Sequence, residues 1–243
     1  MKLLIIRHGD PDYSIDSLTD KGWREAECLS QKLTQMEIKD FYVSPLGRAK
    51  DTASCTLKRL GREAEVKEWL REFSPRILRP DRPEKRNVAW DWLPQDWTAR
   101  EEFLAYDEWQ DNDVMKEGRV KAEYDWVTSE FDKVLAEHGY VRNGLLYRVE
   151  KPNNDTLAFF CHLGVESVLL SHLLNISPMV LWHGTCALPS SVTTLNTEER
   201  RQGTASFRMA SFGDLSHLYA NGEKASFAAR FCECYDNEGE RRD

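Results

Sequence analysis

The sequence has no apolar run that approaches the roughly 20 residues needed to span a bilayer, and its apolar start meets Arg7 too early for a secretory signal peptide. Positive charge is not in excess either, because the 243-residue chain carries a net charge of −8. This balance disfavours broad attraction to nucleic acid or to anionic membranes. We therefore expect a cytoplasmic protein that binds neither nucleic acid nor membrane.

The six cysteines are also not spaced as metal ligands usually are. Cys28, Cys55 and Cys161 fall in segments with an apolar pattern, where a reduced cysteine behaves as a small hydrophobic residue. Cys232 and Cys234 lie close together, but no second cysteine or histidine pair accompanies them at zinc-ligand spacing. The sequence therefore predicts no metal site and no cofactor.

The chain does have a strongly apolar start, in which Leu3 to Ile6 are consecutive large aliphatic residues. Such a run is typical of a strand that is buried on both faces. It ends at Arg7, His8 and Gly9, and ligands of open α/β sheets bind just beyond the carboxyl ends of the strands. Arginine offers a fork of donors to phosphate, neutral imidazole is a possible nucleophile, and glycine permits close backbone approach to a ligand. A strand end with two polar residues explains the tripeptide equally simply.

Helix and strand patterns alternate after this first strand. A helix follows Thr19, a short strand covers Phe41 to Val43, and a second helix ends at Gly61. Alternation of this kind predicts a parallel sheet with helices on both faces. We predict the α/β class, as a three-layer αβα sandwich with a mostly parallel central sheet and a helical cap insertion.

Residues 73 to about 150 interrupt the alternation and contain five of the eight tryptophans. We predict a single domain over residues 1–243, in which this Trp-rich segment is a helical insertion. Its early part is locally basic, with Arg76, Arg79, Arg82, Lys85 and Arg86. Two interpretations stay open, since these arginines either meet a second anionic group of a ligand or form a solvated face.

A second continuous apolar strand, Thr156 to Cys161, ends at His162. Arg48 lies near the start of the second helix. Because the ends of parallel strands meet at one edge of a sheet, Arg7, His8, Arg48 and His162 are able to converge on one anion. A lone arginine is most often a solvated surface residue, but four such residues, each placed just after a strand, favour a phosphate site.

These motifs resemble the histidine phosphatase superfamily, the phosphoglycerate mutase-like proteins. The resemblance rests on Arg7-His8-Gly9, Leu18 to Gly22, Ser44 to Ala53, His162-Leu163-Gly164 and Gly213 to Leu218. It spans residues 1–72 and 156–218, in the order of the family, and implies phosphohistidine chemistry.

The resemblance also implies a role for each residue of the cluster. His8 would be the nucleophile that takes up the phosphoryl group. Arg7, Arg48 and His162 would hold the phosphoryl oxygens and stabilise the charge on the transferring group. The backbone N–H of Leu163 would add one more donor.

Members of this family carry a general acid soon after the third strand, and Glu72 occupies that place in preference to Glu68. The acid protonates the leaving oxygen and then activates the attacking water. Mutases of the family commonly have an asparagine six residues after the histidine nucleophile, where this chain has Ser14. We expect Ser14 to donate a hydrogen bond to the substrate, in a different pocket.

We therefore predict a metal-independent, histidine acid phosphatase-like phosphomonoesterase that hydrolyses a small phosphorylated substrate through a phosphohistidine intermediate. Mutase-type phosphoryl transfer is one alternative. A non-catalytic module that binds a phosphorylated ligand or protein is another. The sequence makes no prediction of the oligomeric state or of the particular phosphomonoester.

Overall fold

The computed structural model describes residues 1–242. The strands are β1 (Lys2–Arg7), β2 (Pro11–Asp12), β3 (Ser17–Leu18), β4 (Asp40–Val43), β5 (Glu65–Val66), β6 (Arg76–Leu78), β7 (Arg86–Val88), β8 (Tyr140–Asn143), β9 (Leu146–Val149), β10 (Thr156–Cys161), β11 (Val192–Arg201) and β12 (Thr204–Asp214). The α-helices are α1 (Asp20–Leu33), α2 (Gly47–Leu60), α3 (Pro94–Thr98), α4 (Asp113–Glu117), α5 (Val120–Glu137), α6 (Leu163–Leu174), α7 (Pro178–Gly184) and α8 (Ser216–Ala220). Short 3₁₀ helices cover Glu68–Leu70, Glu101–Leu104 and Trp109–Asp111. None of the helices in this part of the chain is long and apolar enough to cross a membrane.

The central sheet has eight strands in the order β5-β4-β10-β1-β11-β12-β9-β8. Its first four strands pair in parallel, and the other four continue the sheet through antiparallel pairs. The predicted α/β class is confirmed. The sheet is mixed, and its parallel half contains β1 and β10, the strands that end just before His8 and His162.

Strand β1 lies in the middle of the sheet, between β10 and β11. Its side chains alternate between two cores, since Leu3 and Ile5 pack with α5 and α6, whereas Leu4 and Ile6 pack with α1 and α2. All four are at most 1% exposed, and full burial of such a side chain contributes about 1.5–3 kcal/mol. The unbroken aliphatic run therefore reflects a strand with helices on both of its faces, which gives the predicted three layers.

The ends of the first two helices follow from local chemistry. Thr19 caps α1, because its side chain accepts a hydrogen bond from the N–H of Gly22. Gly61 ends α2 with φ 62°, a left-handed conformation that glycine adopts without a steric cost. Both ends agree with the predicted positions.

Residues 73–150 are only partly helical, which corrects the prediction of a helical insertion. Helices α3, α4 and α5 are present, but β6 and β7 form a separate hairpin, and β8 and β9 join the edge of the central sheet. The two edge strands are short, and only Tyr140 and Tyr147 are buried in them. The buried Trp92 and Trp109 belong to the same core as β1, so this segment has no separate core of its own.

Arg79, one of the basic residues of this segment, is fully buried rather than placed at a rim. Its guanidinium forms ion pairs with Asp81 at 2.6 Å and Asp91 at 3.3 Å. Arg86 forms an exposed ion pair with Glu117. Arg79 therefore fits neither interpretation of the basic segment, because it is buried and the carboxylates of Asp81 and Asp91 already neutralise its charge.

Replacing Arg79 with alanine should lower the free energy of unfolding by about 3 kcal/mol, since the change leaves two partly buried carboxylates without their shared cation. Chemical denaturation measures this loss. Arg86→Ala is the matched control and should leave the unfolding midpoint almost unchanged, because Glu117 stays hydrated. A change in KM without a loss of stability in Arg79→Ala would contradict the structural role.

Candidate active site

The register of the parallel pair β1–β10 brings two histidines side by side. Arg7 lies opposite Cys161, so the next residue of each strand, His8 and His162, leaves the sheet at the same level. The two ring centroids are 5.1 Å apart with the planes tilted by 56°. Both residues are at most 2% exposed, and the predicted pair therefore forms one buried cluster.

The hydrogen bond of His8 determines which nitrogen is available for chemistry. Its Nδ1 lies 2.7 Å from the carbonyl oxygen of Gly9, and a carbonyl only accepts, so we assign the proton to Nδ1 and the lone pair to Nε2. Burial, followed by the charges of Arg7 and Arg48, holds the pKa of His8 well below its usual value. His8 is therefore neutral near pH 7, as a nucleophilic imidazole must be.

Arg7 and Arg48 are held in the same way. Nη1 of Arg7 donates to the carbonyl oxygen of Ala187 at 2.5 Å, and Nη1 of Arg48 donates to Oδ1 of Asp16 at 2.5 Å. The Nε of each arginine is buried and has no hydrogen-bond partner in the protein. An unpartnered buried donor on a cation is costly, and an anion is the group that satisfies it.

His162 supplies a third donor of this kind. Its Nε2 lies 2.7 Å from Oγ of Ser44, and that oxygen already accepts from the N–H of Leu46. Because Leu46 occupies one lone pair of Ser44 Oγ, we assign the Ser44 hydrogen to Nε2 and the proton of a neutral His162 to the buried, unpartnered Nδ1. Burial, followed by His8 and the two arginines, holds the pKa of His162 well below its usual value.

Helix α6 starts immediately after His162, which is its extended N-cap residue. The backbone N–H groups of Leu163 and Gly164 belong to its first turn, where no intrahelical partner exists. A helix N-terminus also favours negative charge through its dipole. The N–H of Leu163 is thus a free donor at the start of α6, and its contact with a phosphoryl oxygen stays a prediction.

Glu72 reaches the same helix end from the preceding segment. Its Oε1 accepts hydrogen bonds from the N–H of Phe73 at 2.8 Å and of Val165 at 3.2 Å. Burial raises the pKa of Glu72, against the opposing effects of the Phe73 N–H and of the two arginines, and so favours the protonated form. Glu68 is exposed, so the geometry favours Glu72 as the acid of the cluster.

Gly164 makes room for this acid. A Cβ on Gly164 would lie 2.7 Å from Oε1 of Glu72 and 2.7 Å from Nε1 of Trp90. The indole N–H of Trp90 donates to the carbonyl oxygen of Phe73 at 2.6 Å. The Trp-rich segment therefore fixes the chain that carries Glu72.

Two predicted binding residues have other contacts. The N–H of Gly9 donates to Oγ1 of Thr52 at 2.9 Å, and a Cβ on Gly9 would lie 2.8 Å from the carbonyl oxygen of Gly22. Packing against α1 is thus sufficient to require glycine at this position. Ser14 is exposed, and its hydroxyl donates to Asp12 at 2.6 Å, so in this structure its hydrogen is engaged within the hairpin.

Four residues that contact the cluster were missed by sequence reasoning. Ser44 and Thr52 lie in the motif around Arg48, and their hydroxyl groups were the available signal. Asp16 and Ala187 lie in connecting segments with no pattern that indicates a contact with an arginine. Ser44, Asp16 and Ala187 each bond a cluster residue through a nitrogen other than its unpartnered one, whereas Thr52 bonds the backbone of Gly9 and Arg48.

Across residues 1–242, no group of three or more histidine, cysteine, aspartate or glutamate side chains is close enough to hold a metal ion. The six cysteines are all free thiols.

A model of the histidine phosphatase superfamily (branch 1) matches residues 3–209 of this sequence. The chain belongs to the histidine phosphatase superfamily. The match includes β1, α2, β10 and α6, which carry the cluster, and also the Trp-rich segment that interrupts the sequence pattern.

Individual relatives of this histidine phosphatase superfamily member are distant. A 2,3-bisphosphoglycerate-dependent phosphoglycerate mutase from Thermoplasma acidophilum is 40% identical over 60 residues, which are 21% of this chain and 30% of the mutase. A mutant phosphoserine phosphatase from Entamoeba histolytica, solved with phosphoserine, is 18% identical with a TM-score of 0.59 over 89% of this chain and 98% of its own. A mycobacterial glucosyl-3-phosphoglycerate phosphatase is 17% identical with a TM-score of 0.54 over 87% and 98%. The two solved structures establish the shared fold.

Glu166 is a further buried carboxyl beside this site. It lies in the first turn of α6 and is 1% exposed, and the Thr193 hydroxyl lies near its carboxyl group without completing a hydrogen bond of good geometry. Burial raises the pKa of Glu166 to about 7, while the Thr193 hydroxyl and Arg7 oppose the shift. The folded protein thus holds a proton on Glu166 at pH values where the unfolded chain has released it.

The stability of the protein should therefore depend on pH through Glu166. The stabilisation is complete below the unfolded pKa of 4.5 and is lost as the pH rises through about 7, a change of about 3 kcal/mol. Denaturation of the wild type and of Glu166→Gln between pH 4.5 and 8 tests this, because all other titrating groups are shared. As the pH rises across that range, we expect the free energy of unfolding of the variant to increase relative to that of the wild type. A difference that is constant with pH would contradict the assignment.

Proposed function

We propose that the protein is a phosphatase that hydrolyses a small phosphomonoester through a phosphohistidine at His8. The observation that carries this proposal is a buried pair of imidazoles, His8 and His162, beside two arginines, with three buried nitrogens that have no partner in the protein: Nε of Arg7, Nε of Arg48 and Nδ1 of His162. Three convergent donors suit the three equatorial oxygens of a transferring phosphoryl group. The net charge of −8 favours a small substrate over nucleic acid or membrane.

In the first step, the lone pair on Nε2 of His8 attacks phosphorus and the bond to the leaving oxygen breaks. Protonated Glu72 gives its proton to that oxygen, so that an alcohol leaves rather than an alkoxide. The two guanidinium groups offset the charge on the phosphoryl oxygens, and the hydrogen bond to Gly9 stabilises the imidazole as it becomes positive.

In the second step, ionised Glu72 takes a proton from water, and the resulting oxygen attacks the phosphorus of phosphohistidine. The N–P bond breaks, inorganic phosphate forms, and His8 recovers its neutral state while Glu72 is again protonated. The two steps regenerate the starting protonation states without another titrating group.

The comparisons support a phosphatase at the level of the family. Two similar folds are named as phosphatases of phosphoserine and of glucosyl-3-phosphoglycerate, so we infer an alkyl phosphomonoester as the substrate class. The 60-residue match to a phosphoglycerate mutase favours a second candidate, in which phosphohistidine transfers its group to an alcohol. Release of inorganic phosphate, measured against formation of an isomeric phosphoester, separates the two.

His8 should carry the phosphoryl group. Protein incubated with a ³²P-labelled phosphomonoester and denatured in alkali should retain the label, and the label should be lost in acid, as a phosphoamidate requires. His8→Ala should abolish both the label and turnover, because no other group replaces the nucleophile. His138→Ala is the control, because His138 bonds Tyr42 of β4, lies close to Asp40 and is not part of the cluster. This variant should still take up the label.

Labelling of His8→Ala would disprove the assignment. The labelling should also survive a chelator, because Arg7 and Arg48 already provide positive charge for the phosphoryl group. Loss of activity with chelator, followed by recovery with magnesium or zinc, would contradict this part of the proposal.

Glu72→Gln should slow hydrolysis of an alkyl phosphate by roughly 10²–10⁴, the usual effect of removing a positioned general acid. The effect on an aryl phosphate should be small, because its leaving oxygen needs little protonation. Steady-state rates with both substrates measure the contrast, and Glu68→Gln is the exposed control. An equal loss of rate for the two substrates would show that Glu72 binds the substrate or supports the site and does not protonate the leaving oxygen.

A further inference from the structure

Asp16 connects the small hairpin β2–β3 to the start of α2. Its Oδ2 accepts a hydrogen bond from the N–H of Gly47 at 2.7 Å, and its Oδ1 accepts one from Nη1 of Arg48 at 2.5 Å. The side chain of Asp16 is 44% exposed, whereas that of Arg48 is 11% exposed. The carboxylate therefore holds the guanidinium from the solvent side of the cluster.

The backbone on both sides of this contact has special requirements. Asp16 has φ 48°, in the left-handed region that aspartate and asparagine tolerate better than most residues. The carbonyl oxygen of Asp16 would lie 2.1 Å from a Cβ on Gly47, so only glycine fits at the start of α2. Two independent backbone constraints thus meet at one ion pair.

The ion pair gives Arg48 the same arrangement as Arg7. Each guanidinium is bonded through Nη1, and each has a buried Nε without a partner. A backbone carbonyl, that of Ala187, holds Arg7, whereas a side-chain carboxylate holds Arg48. The second bond joins two charged groups and is the stronger type.

We propose that Asp16 is a positioning residue for phosphoryl transfer, which fixes Arg48 through Nη1 so that its Nε edge is held ready for the phosphoryl group. This inference rests on the function proposed above. The Gly47 N–H orients the carboxylate, and the carboxylate orients the guanidinium. A donor that is ordered in advance needs no reorganisation when charge develops on the phosphoryl oxygens.

The negative charge of Asp16 also repels a bound phosphate. This repulsion weakens phosphate binding, whereas the positioning of Arg48 strengthens it. Two observations show that positioning dominates. Asp16 occupies Nη1 and leaves Nε unpartnered, so the carboxylate does not fill the edge that would bind phosphate. The carboxylate is also close to half exposed, where water and salt weaken its repulsion.

Two variants separate the effect of the Asp16–Arg48 bond, the tether, from the effect of the negative charge of Asp16. Asp16→Gly removes the tether and tolerates the left-handed backbone, whereas Asp16→Asn keeps an acceptor and loses the charge. We expect kcat/KM of Asp16→Gly to fall roughly 10–100-fold, as misplacement of a catalytic donor does, and that of Asp16→Asn to fall less. Calorimetric binding of inorganic phosphate should weaken in the same order.

Asp12→Asn is the matched control, because Asp12 lies in the same hairpin, carries the same charge and bonds Ser14 instead of Arg48. It should match the wild type in kcat/KM and in phosphate affinity. If Asp16→Gly fails to fold, as judged by its melting temperature, Asp16→Asn carries the same comparison.

Unchanged kcat/KM and phosphate affinity in both folded variants of Asp16 would overturn the proposal. Tighter phosphate binding would overturn it as well, because Asp16 would then compete with the substrate. The phosphate measurement is independent of turnover. A wild type that binds phosphate without hydrolysing any ester would refute the proposed function, while weaker binding by Asp16→Gly would still support the tether to Arg48.

Discussion

The parallel register of β1 and β10 is the constraint on which the site depends. It places Arg7 opposite Cys161, and the residues that follow, His8 and His162, then meet with ring centroids 5.1 Å apart. The register itself is maintained by side chains that alternate between two cores, so a slip of one residue would exchange the buried faces. The geometry of the two imidazoles is therefore determined by the packing of the sheet rather than by the loops around it.

A second regularity concerns the polar atoms of the cluster. His8, Arg7, Arg48 and His162 are each held by the protein through one nitrogen, and in the last three a different nitrogen is buried without a partner. Buried polar groups are normally satisfied, so the unpartnered nitrogens of Arg7, Arg48 and His162 support the proposal that an anion binds there. The contacts that hold these side chains also keep them ordered, which is what stabilisation of a transferring anion requires.

Two contacts of the Trp-rich segment show how it supports the rest of the protein. Arg79 is neutralised inside the protein by Asp81 and Asp91, so it contributes stability rather than recognition. Trp90 bonds the carbonyl of Phe73 and packs against Gly164, beside Glu72. This segment therefore acts on the site by fixing the chain that carries the candidate acid.

The sequence by itself determined the α/β class, the two buried strands and four residues of the cluster, because apolar runs and the polar residues that end them are local patterns. Resemblance to a family added Glu72. Only the tertiary structure decided that Asp16 meets Arg48, that the Ser14 hydroxyl bonds Asp12, that Arg79 is internal, and that β8 and β9 belong to the sheet. Each of these features depends on which distant segments of the chain pack together. The spacing of residues along the chain does not indicate such long-range contacts.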